Sequence, residues 1–341
     1  VEEYKRCIEE GVKGNTRPLI ETFFMIQTKD QRIAPLKYKP AQEIMWDQRS
    51  PYDLVLKAAQ MGFTTIEQAD MLADAICRPG IECLMVAQMD QSVVKLFEIT
   101  HRFLDALPSV VRPKLLTNND HMIEIDHTDF APGATSAIMI GSAASKSFGR
   151  GRPIHRALFT EVGFYDDQAV NTMAGIIARM PVNLSRVVKE STANGQSGHF
   201  FEEWEKATEA QEKSDVSITS AIPHFFPWYL EPDYQLEFNS EFPYTQAVTS
   251  VNPTEQYLRD QFFVTDDQLR WRRFQIAQLG EDFFKQEYPM NAGEAFLPIG
   301  SAVFSNFAMI DIHALNVRDA EITDGVHQWK QPQAGKGYII S

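Results

Sequence analysis

The stretch Lys57-Ala-Ala-Gln-Met-Gly-Phe-Thr-Thr65 constrains this chain more than any other. It follows the apolar run Asp53-Leu-Val-Leu56 and opens a helical pattern that continues from Thr64 to Ile76. A buried strand, a tight Gly-containing turn and a helix N-terminus aim several backbone N–H groups and a positive dipole end at one point, which is what a phosphate group requires. Set against the pattern G-x-x-x-x-G-K-[ST], Lys57 stands where the first glycine belongs and Phe63 where the lysine belongs, while Gly62 and Thr64 fit. An ammonium on a flexible stem can reach β- and γ-phosphates from the start of the loop, so Lys57 takes over the lysine's role. The plainer reading is a strand-turn-helix corner in which Gly62 supplies a positive φ. The remaining motifs decide between the two.

Upstream, Pro40 in Leu36-Lys-Tyr-Lys-Pro-Ala-Gln-Glu-Ile-Met-Trp46 suits a first helical turn and sets Gln42 just inside it. A glutamine there can hydrogen-bond both the donor and the acceptor edge of adenine. Residues 2–13 have helical character, and Thr22-Phe-Phe-Met-Ile-Gln27 reads as a short strand. After the loop, the helix stops at Arg78-Pro-Gly80, Glu82-Cys-Leu-Met-Val-Ala87 is a second buried strand, and Gln91 to Leu107 is an amphipathic helix closed by Pro108. This alternation indicates a mostly parallel sheet with helices on both faces. Less regular strands follow at His121–Asp126 and Ser136–Gly141.

The basic, Gly-rich segment Ser142-Ala-Ala-Ser-Lys-Ser-Phe-Gly-Arg-Gly-Arg152 reads as an exposed loop and leads into the strand His155-Arg-Ala-Leu-Phe-Thr-Glu-Val162. Ligands of open α/β sheets sit at the C-terminal ends of strands, which places Glu161 at the same crevice as the 57–65 loop. A carboxylate there can polarise the water that attacks a γ-phosphate. The strand Arg186–Glu190 runs into Ser191-Thr-Ala-Asn-Gly195, whose small polar side chains can sense that phosphate, and then into an aromatic helix from Gly198. A Pro- and aromatic-rich stretch from Ser217 to Tyr244 gives way to helices at 254–262 and 266–279, and Tyr288–Gly300 is a connector to Ala302-Val-Phe304, a short helix near 306–315 and a last strand at 336–341.

At 341 residues, 44% hydrophobic and 23% charged, the chain has room for one large or two ordinary soluble domains of roughly 100–200 residues. No apolar run approaches the ~20 residues of a membrane helix, and no signal-peptide pattern opens the chain. A start at Val1 rather than Met suggests a fragment or processed product. Three cysteines, Cys7, Cys77 and Cys83, with no C-x-x-C pair argue against a disulfide framework and a zinc knuckle and for a reducing, cytoplasmic setting. The net charge of −14 opposes non-specific nucleic-acid binding over the whole surface, although a local basic patch or a ring of subunits can still engage a phosphate backbone.

The order Gln42, Lys57–Thr65, Ala157-Leu-Phe-Thr-Glu161, Ser191–Gly195 and Gly293-Glu-Ala-Phe296 resembles the large terminase subunit of tailed bacteriophages, a DNA-packaging motor, over roughly residues 35 to 310. The resemblance implies an α/β P-loop NTPase of the ASCE type with a small C-terminal linker subdomain. It divides the chain into an N-terminal helix and edge segment (1–35), an ATPase core (36–225), a lid or linker (226–315) and the start of a truncated nuclease domain resembling ribonuclease H (316–341). It implies ATP bound by Gln42, Lys57, Gln60, Met61, Gly62, Phe63, Thr64 and Thr65, Mg2+ held near Thr64, Thr160 and Glu161, catalysis by Glu161, and coupling through Ser191, Thr192, Asn194 and Gly195. Arg150 or Arg152, on the Gly-flanked loop, resembles a finger reaching the neighbouring subunit's site. The implied partners are double-stranded DNA, a portal protein, a small terminase subunit and further copies in a ring, in the host cytoplasm at the procapsid portal and without a membrane.

This chain departs from the family twice, with Phe63 where a second lysine is usual and Thr160 where an aspartate usually precedes the catalytic glutamate. Both departures thin the charge around phosphates and Mg2+ and imply slow hydrolysis by the isolated chain; Thr64 and Thr160 hydroxyls can still hold the ion directly or through water. The nuclease carboxylates fall outside the chain, so it is expected not to cut DNA. Two alternatives stand beside the motor: a nucleotide-insensitive structural or DNA-clamping module, and a superfamily-2-like helicase, which would need an Asp-Glu pair and a second nucleotide-binding domain that are not seen.

Overall fold

The computed structural model describes residues 1–145, 152–215, 217, 220–241 and 247–296, together with the backbone of 321–323 and 326–328. Residues Val1–Pro298 form one compact unit and Ile299–Ser341 another.

The first unit begins with helices α1 (Glu2–Val12) and α2 (Arg17–Phe23), the antiparallel pair β1 (Met25–Gln27) and β2 (Ile33–Pro35), and helix α3 (Pro40–Gln48). Then come β3 (Tyr52–Lys57), α4 (Phe63–Cys77), β4 (Glu82–Ala87), α5 (Asp90–Ala106), β5 (Leu115–Asn118), β6 (Met122–Asp126), β7 (Thr135–Ser142), β8 (Arg156–Thr160), α6 (Asp167–Ile177), β9 (Arg186–Ser191), α7 (His199–Glu212) and β10 (Ile222–Phe226). Helices α8 (Pro253–Phe262), α9 (Asp266–Leu279), α10 (Glu281–Glu287) and α11 (Ala292–Ala295) complete it. In the second unit β11 (Glu321–Thr323) pairs antiparallel with β12 (Val326–Gln328). The helix near 306–315 and the strand at 336–341 read from the sequence lie outside the described residues, as does the Ala302–Phe304 segment. Among the described residues, no helix is long and apolar enough to cross a membrane.

The central sheet has eight strands in the order β10-β3-β9-β8-β4-β7-β6-β5. From β10 to β7 all neighbours are parallel, and β6 and β5 fold back antiparallel at one edge. One strand, β9, therefore separates the strand of the phosphate loop from the strand that leads to Glu161. Side chains of a strand alternate between faces, and the continuous apolar runs of β3, β4 and β8 feed two cores. Leu54, Leu56, Leu84, Val86 and Phe159 pack on one side with Met173, Trp204 and Phe296. Val55, Cys83, Met85 and Leu158 pack on the other with α4, Phe103, Trp228 and Trp271. This two-sided burial is why those runs are apolar throughout rather than alternating.

The structure departs from the sequence reading where local pattern and tertiary pairing disagree. Residues 22 and 23 belong to α2, which starts with a proline in its first turn, so only Met25–Gln27 is strand. β5, α6 and α10 were not read from the sequence. Nor was β10, whose Pro223 and His224 disguise it; as the outermost strand it pairs only with β3, which is where a residue lacking N–H is tolerated.

A buried ionic network fastens α4 to the N-terminal ends of the strands. Arg186 meets Asp53 at 2.9 Å and Glu67 at 2.6 Å, and Arg156 meets Asp74 at 2.7 Å and also Asp70. Burial alone would raise Asp70, but Arg156 and Arg186 outweigh it and hold its carboxyl down to about 2. The helix that begins at the loop is thereby anchored at a fixed height over the sheet.

Candidate active site

The chain leaves β3 at Lys57 and re-enters helix at Phe63. Closing that corner in so few residues takes left-handed backbone at Gln60 (φ 52°) and Gly62 (φ 74°). A Cβ at Gly62 would stand 3.0 Å from Gln42 Nε2, so both the conformation and the close approach call for glycine. Gln42 is buried and braces the loop: its Nε2 donates to the Met61 carbonyl at 2.9 Å, while its Oε1 accepts from Lys39 N–H at 3.0 Å. Met61 is in the core, and the Phe63 ring is also buried, stacked on Phe226 with centroids 4.6 Å apart. Phe63 therefore offers a ligand its backbone and not its side chain. Thr64 and Thr65 remain partly open in the first turn of α4.

Around Lys57 the structure gathers carboxylates. The ammonium is buried, 3.0 Å from Glu190 Oε2 and 3.7 Å from Glu161 Oε1. Burial would lower Lys57, but Glu190 and Glu161 outweigh it and raise it above its ordinary value. Glu161 lies one residue beyond β8 with left-handed backbone (φ 56°), and its side chain is 40% exposed. Such a conformation in a non-glycine residue is a cost that the surrounding structure must impose. Burial, with Glu190 and Glu287 nearby, raises the Glu161 carboxyl against the opposing pull of Lys57.

The residues that hold this turn are those read as coupling residues. Ser191 Oγ accepts from Gly163 N–H at 3.0 Å, and Asn194 Nδ2 donates to the Gly163 carbonyl at 3.0 Å. A Cβ on Gly163 would sit 2.9 Å from both Ser191 Oγ and the Thr192 carbonyl. Gly195 turns the chain away with φ 74°. Ser191–Gly195 is thus built into the support of Glu161. Farther along, the Phe296 ring packs on Phe200, Phe201 and Trp204 of α7, the helix that follows this segment.

Two acidic residues at the site were missed in the sequence. Glu190 is fully buried at the end of β9; Thr64 Oγ1 donates to its Oε1 at 2.6 Å. The signal was there, since an acidic residue ending an apolar strand is what pointed to Glu161. Glu287 ends α10, and its backbone carbonyl accepts from the phosphate loop's Ala59 N–H at 2.8 Å, while Tyr234 Oη donates to the Ala59 carbonyl. Burial raises the Glu287 carboxyl. No local pattern ties α10 to the loop, and only the fold brings them together.

Arg150 lies outside the described residues. Arg152 pairs with Glu82 at 3.0 Å and Glu124 at 3.1 Å. Glu82 opens β4, which is parallel to β8, so this arginine is at the opposite end of the sheet from Glu161 of its own chain. Among the described residues, no group of three or more His, Cys, Asp or Glu could hold a metal by itself. An Mg2+ carried in by phosphates asks for less, and a threonine hydroxyl with one carboxylate suffices.

No protein-family model and no curated protein matches the sequence. Among solved structures, the large terminase of bacteriophage HK97 aligns over 81% of this chain and 52% of its own length, with a TM-score of 0.50 at 14% identity. The ATPase domain of the Thermus phage P74-26 large terminase aligns over 76% of this chain and 100% of its own, with a TM-score of 0.45 at 12% identity. The large terminase of a thermophilic bacteriophage, in complex with ATP-gamma-S, aligns over 65% and 49%, with a TM-score of 0.41 at 14% identity. This chain spans about half the length of the HK97 protein. The mostly parallel sheet, its strand-turn-helix corner at 57–63 and the HK97 alignment together give this chain the P-loop fold of the bacteriophage large terminase ATPase.

Proposed function

We propose that the chain is the ATP-hydrolysing motor domain of a viral large terminase, which drives double-stranded DNA into a procapsid. The observation that carries this reading is the meeting of Lys57 with Glu161 and Glu190, and of Thr64 with Glu190, at the C-terminal edge of the sheet, beside a loop whose left-handed turns open onto a helix N-terminus. Lys57 neutralises the β/γ-phosphates and the loop's N–H groups cradle them. Glu161 is partly open to solvent where Glu190 is fully buried; with its proton affinity raised it orients water and accepts a proton. Mg2+, bound with the nucleotide, would offset phosphate charge, and the Thr64 and Thr160 hydroxyls would take part in holding it. Gln42 would meet adenine through the amide hydrogen and lone pair that its two loop-bracing bonds do not use.

Within the same proposal, residues 226–315 are the lid or linker, a reading supported in their described part by Tyr234 and Glu287 gripping Ala59. Ser191–Gly195 transmits the state of the site, supported by its hold on Gly163. The DNA, the portal protein, the small subunit, the ring of copies and the nuclease of a longer parent protein belong to this reading too. The competing module that ignores nucleotide has one feature in its favour, since Lys57 and Ala59 N–H are both engaged inside the protein. Equilibrium binding of a fluorescent ATP analogue separates the two. Lys57→Ala, checked for fold by circular dichroism, should bind about 10–100-fold more weakly than the parent, as expected for loss of a charged partner worth roughly 1.5–3 kcal/mol. Equal affinity, or none in the parent, sinks the motor reading.

A further inference from the structure

We propose that Glu190 supplies the carboxylate that holds the nucleotide's Mg2+, taking the place of the acidic residue that position 160 lacks. The inference rests on the nucleotide-site reading above. Thr160 and Glu190 are register partners on the adjacent parallel strands β8 and β9, so their side chains leave the same face of the sheet, one strand spacing (about 4.8 Å) apart. A carboxylate moved sideways by one strand, on a stem longer than aspartate's by one methylene, reaches the same region.

Where that carboxylate lies specifies its work. Glu190 is 0% exposed and its Oε1 already accepts from Thr64 Oγ1. This is the hydroxyl that the phosphate-loop pattern assigns to the metal. Its Oε2 takes no well-aligned hydrogen bond from the described residues and faces the Lys57 ammonium at 3.0 Å. A fully buried carboxylate with one oxygen held only by charge is costly unless a cation completes it. Lys57 serves while the site is free of nucleotide. Once phosphates draw Lys57 toward themselves, that oxygen and the Thr64 hydroxyl remain as a pair of hard oxygen donors, the kind of set Mg2+ takes when phosphates and water supply the rest. Exposure divides the two acids: water reaches Glu161, which is 40% exposed, and does not reach Glu190.

The test uses this chain, a non-hydrolysable ATP analogue and Mn2+ as a paramagnetic probe, with metal affinity read by electron paramagnetic resonance and nucleotide affinity by fluorescence. Glu190→Gln should bind metal-free nucleotide at least as well as the parent, because an anion beside the phosphates has gone. Its affinity for Mn2+ in the nucleotide complex should drop about 10–100-fold, the usual effect of losing a group that holds or orients a metal ligand. Thr160→Asp in the Glu190→Gln background should recover most of that loss. If the amide variant does not fold, Glu190→Asp keeps the charge beside Lys57, shortens the reach, and should weaken Mn2+ several-fold. Unchanged Mn2+ affinity in whichever Glu190 variant folds, with nucleotide still bound, overturns the role of Glu190 and leaves the nucleotide site standing. Failure of the parent chain to bind nucleotide at all removes both.

Discussion

Lys57, Glu161 and Glu190 form a charge arrangement that makes sense for a site that exchanges partners. A lone ammonium in that position would be expensive to bury, and two carboxylates beside it make the burial tolerable. The same contacts keep Lys57 protonated for phosphates, since its proton affinity is raised and not lowered. Glu161 is the more weakly held of the two acids, at 3.7 Å, and its backbone is fixed by Gly163 and the 191–194 segment rather than by its own side chain. Glu161→Gln should therefore preserve the fold and nucleotide binding while turnover falls about 10²–10⁴-fold, the range for removal of a general base. Steady-state ATPase assays beside nucleotide titration check this. Normal turnover would place the base elsewhere. Of the two aspartates that follow Glu161 along the chain, Asp166 is already the N-cap of α6, accepting from Ala169 N–H at 2.8 Å, so Asp167 is the next candidate of that pair.

At the scale of elements, α4 carries the loop and is itself held by charge. Arg156 and Arg186 come from the first residues of β8 and β9, reach under the helix, and are met by Glu67, Asp70 and Asp74. Arg156→Leu leaves Asp70 and Asp74 buried with too little positive charge, so chemical denaturation should show a loss of about 3–5 kcal/mol at neutral pH, typical of breaking a buried ion pair from one side. The pH dependence has a definite sign. Asp70 is depressed to about 2 in the folded state, so its contribution is complete above the ordinary carboxylate range and disappears as pH falls toward about 2. The gap between parent and Arg156→Leu should narrow over that window. A gap that does not change with pH would show that packing of the Arg156 stem, not its charge, fixes the helix.

At the scale of the molecule, Arg152 poses the question of assembly, because within one chain it lies at the far end of the sheet from Glu161. If Arg150 or Arg152 completes a neighbour's site, chains carrying Arg150→Ala or Arg152→Ala and chains carrying Glu161→Gln should regain activity when mixed, since one supplies the base and the other the finger. An arginine of this kind is worth roughly 10³–10⁵ in rate. No recovery at any ratio, with assembly confirmed, would confine the arginines to other work. Much of this organisation was legible in the chain itself. Apolar runs between Gly and Pro stops marked β3, α4 and β4, and the corner at Gly62 and the acid after β8 are local patterns that backbone geometry translates directly. The position of each strand in the sheet was not local. That β9 inserts between β3 and β8, so that Glu190 meets Lys57 and Thr64, depends on pairings between residues far apart in sequence, as does the approach of Glu287 to Ala59. Phe63 shows the same division within one residue: its place in the loop follows from the sequence, but its ring turned inward because β10 set Phe226 beneath it, and burying two aromatic rings outweighs showing one to solvent.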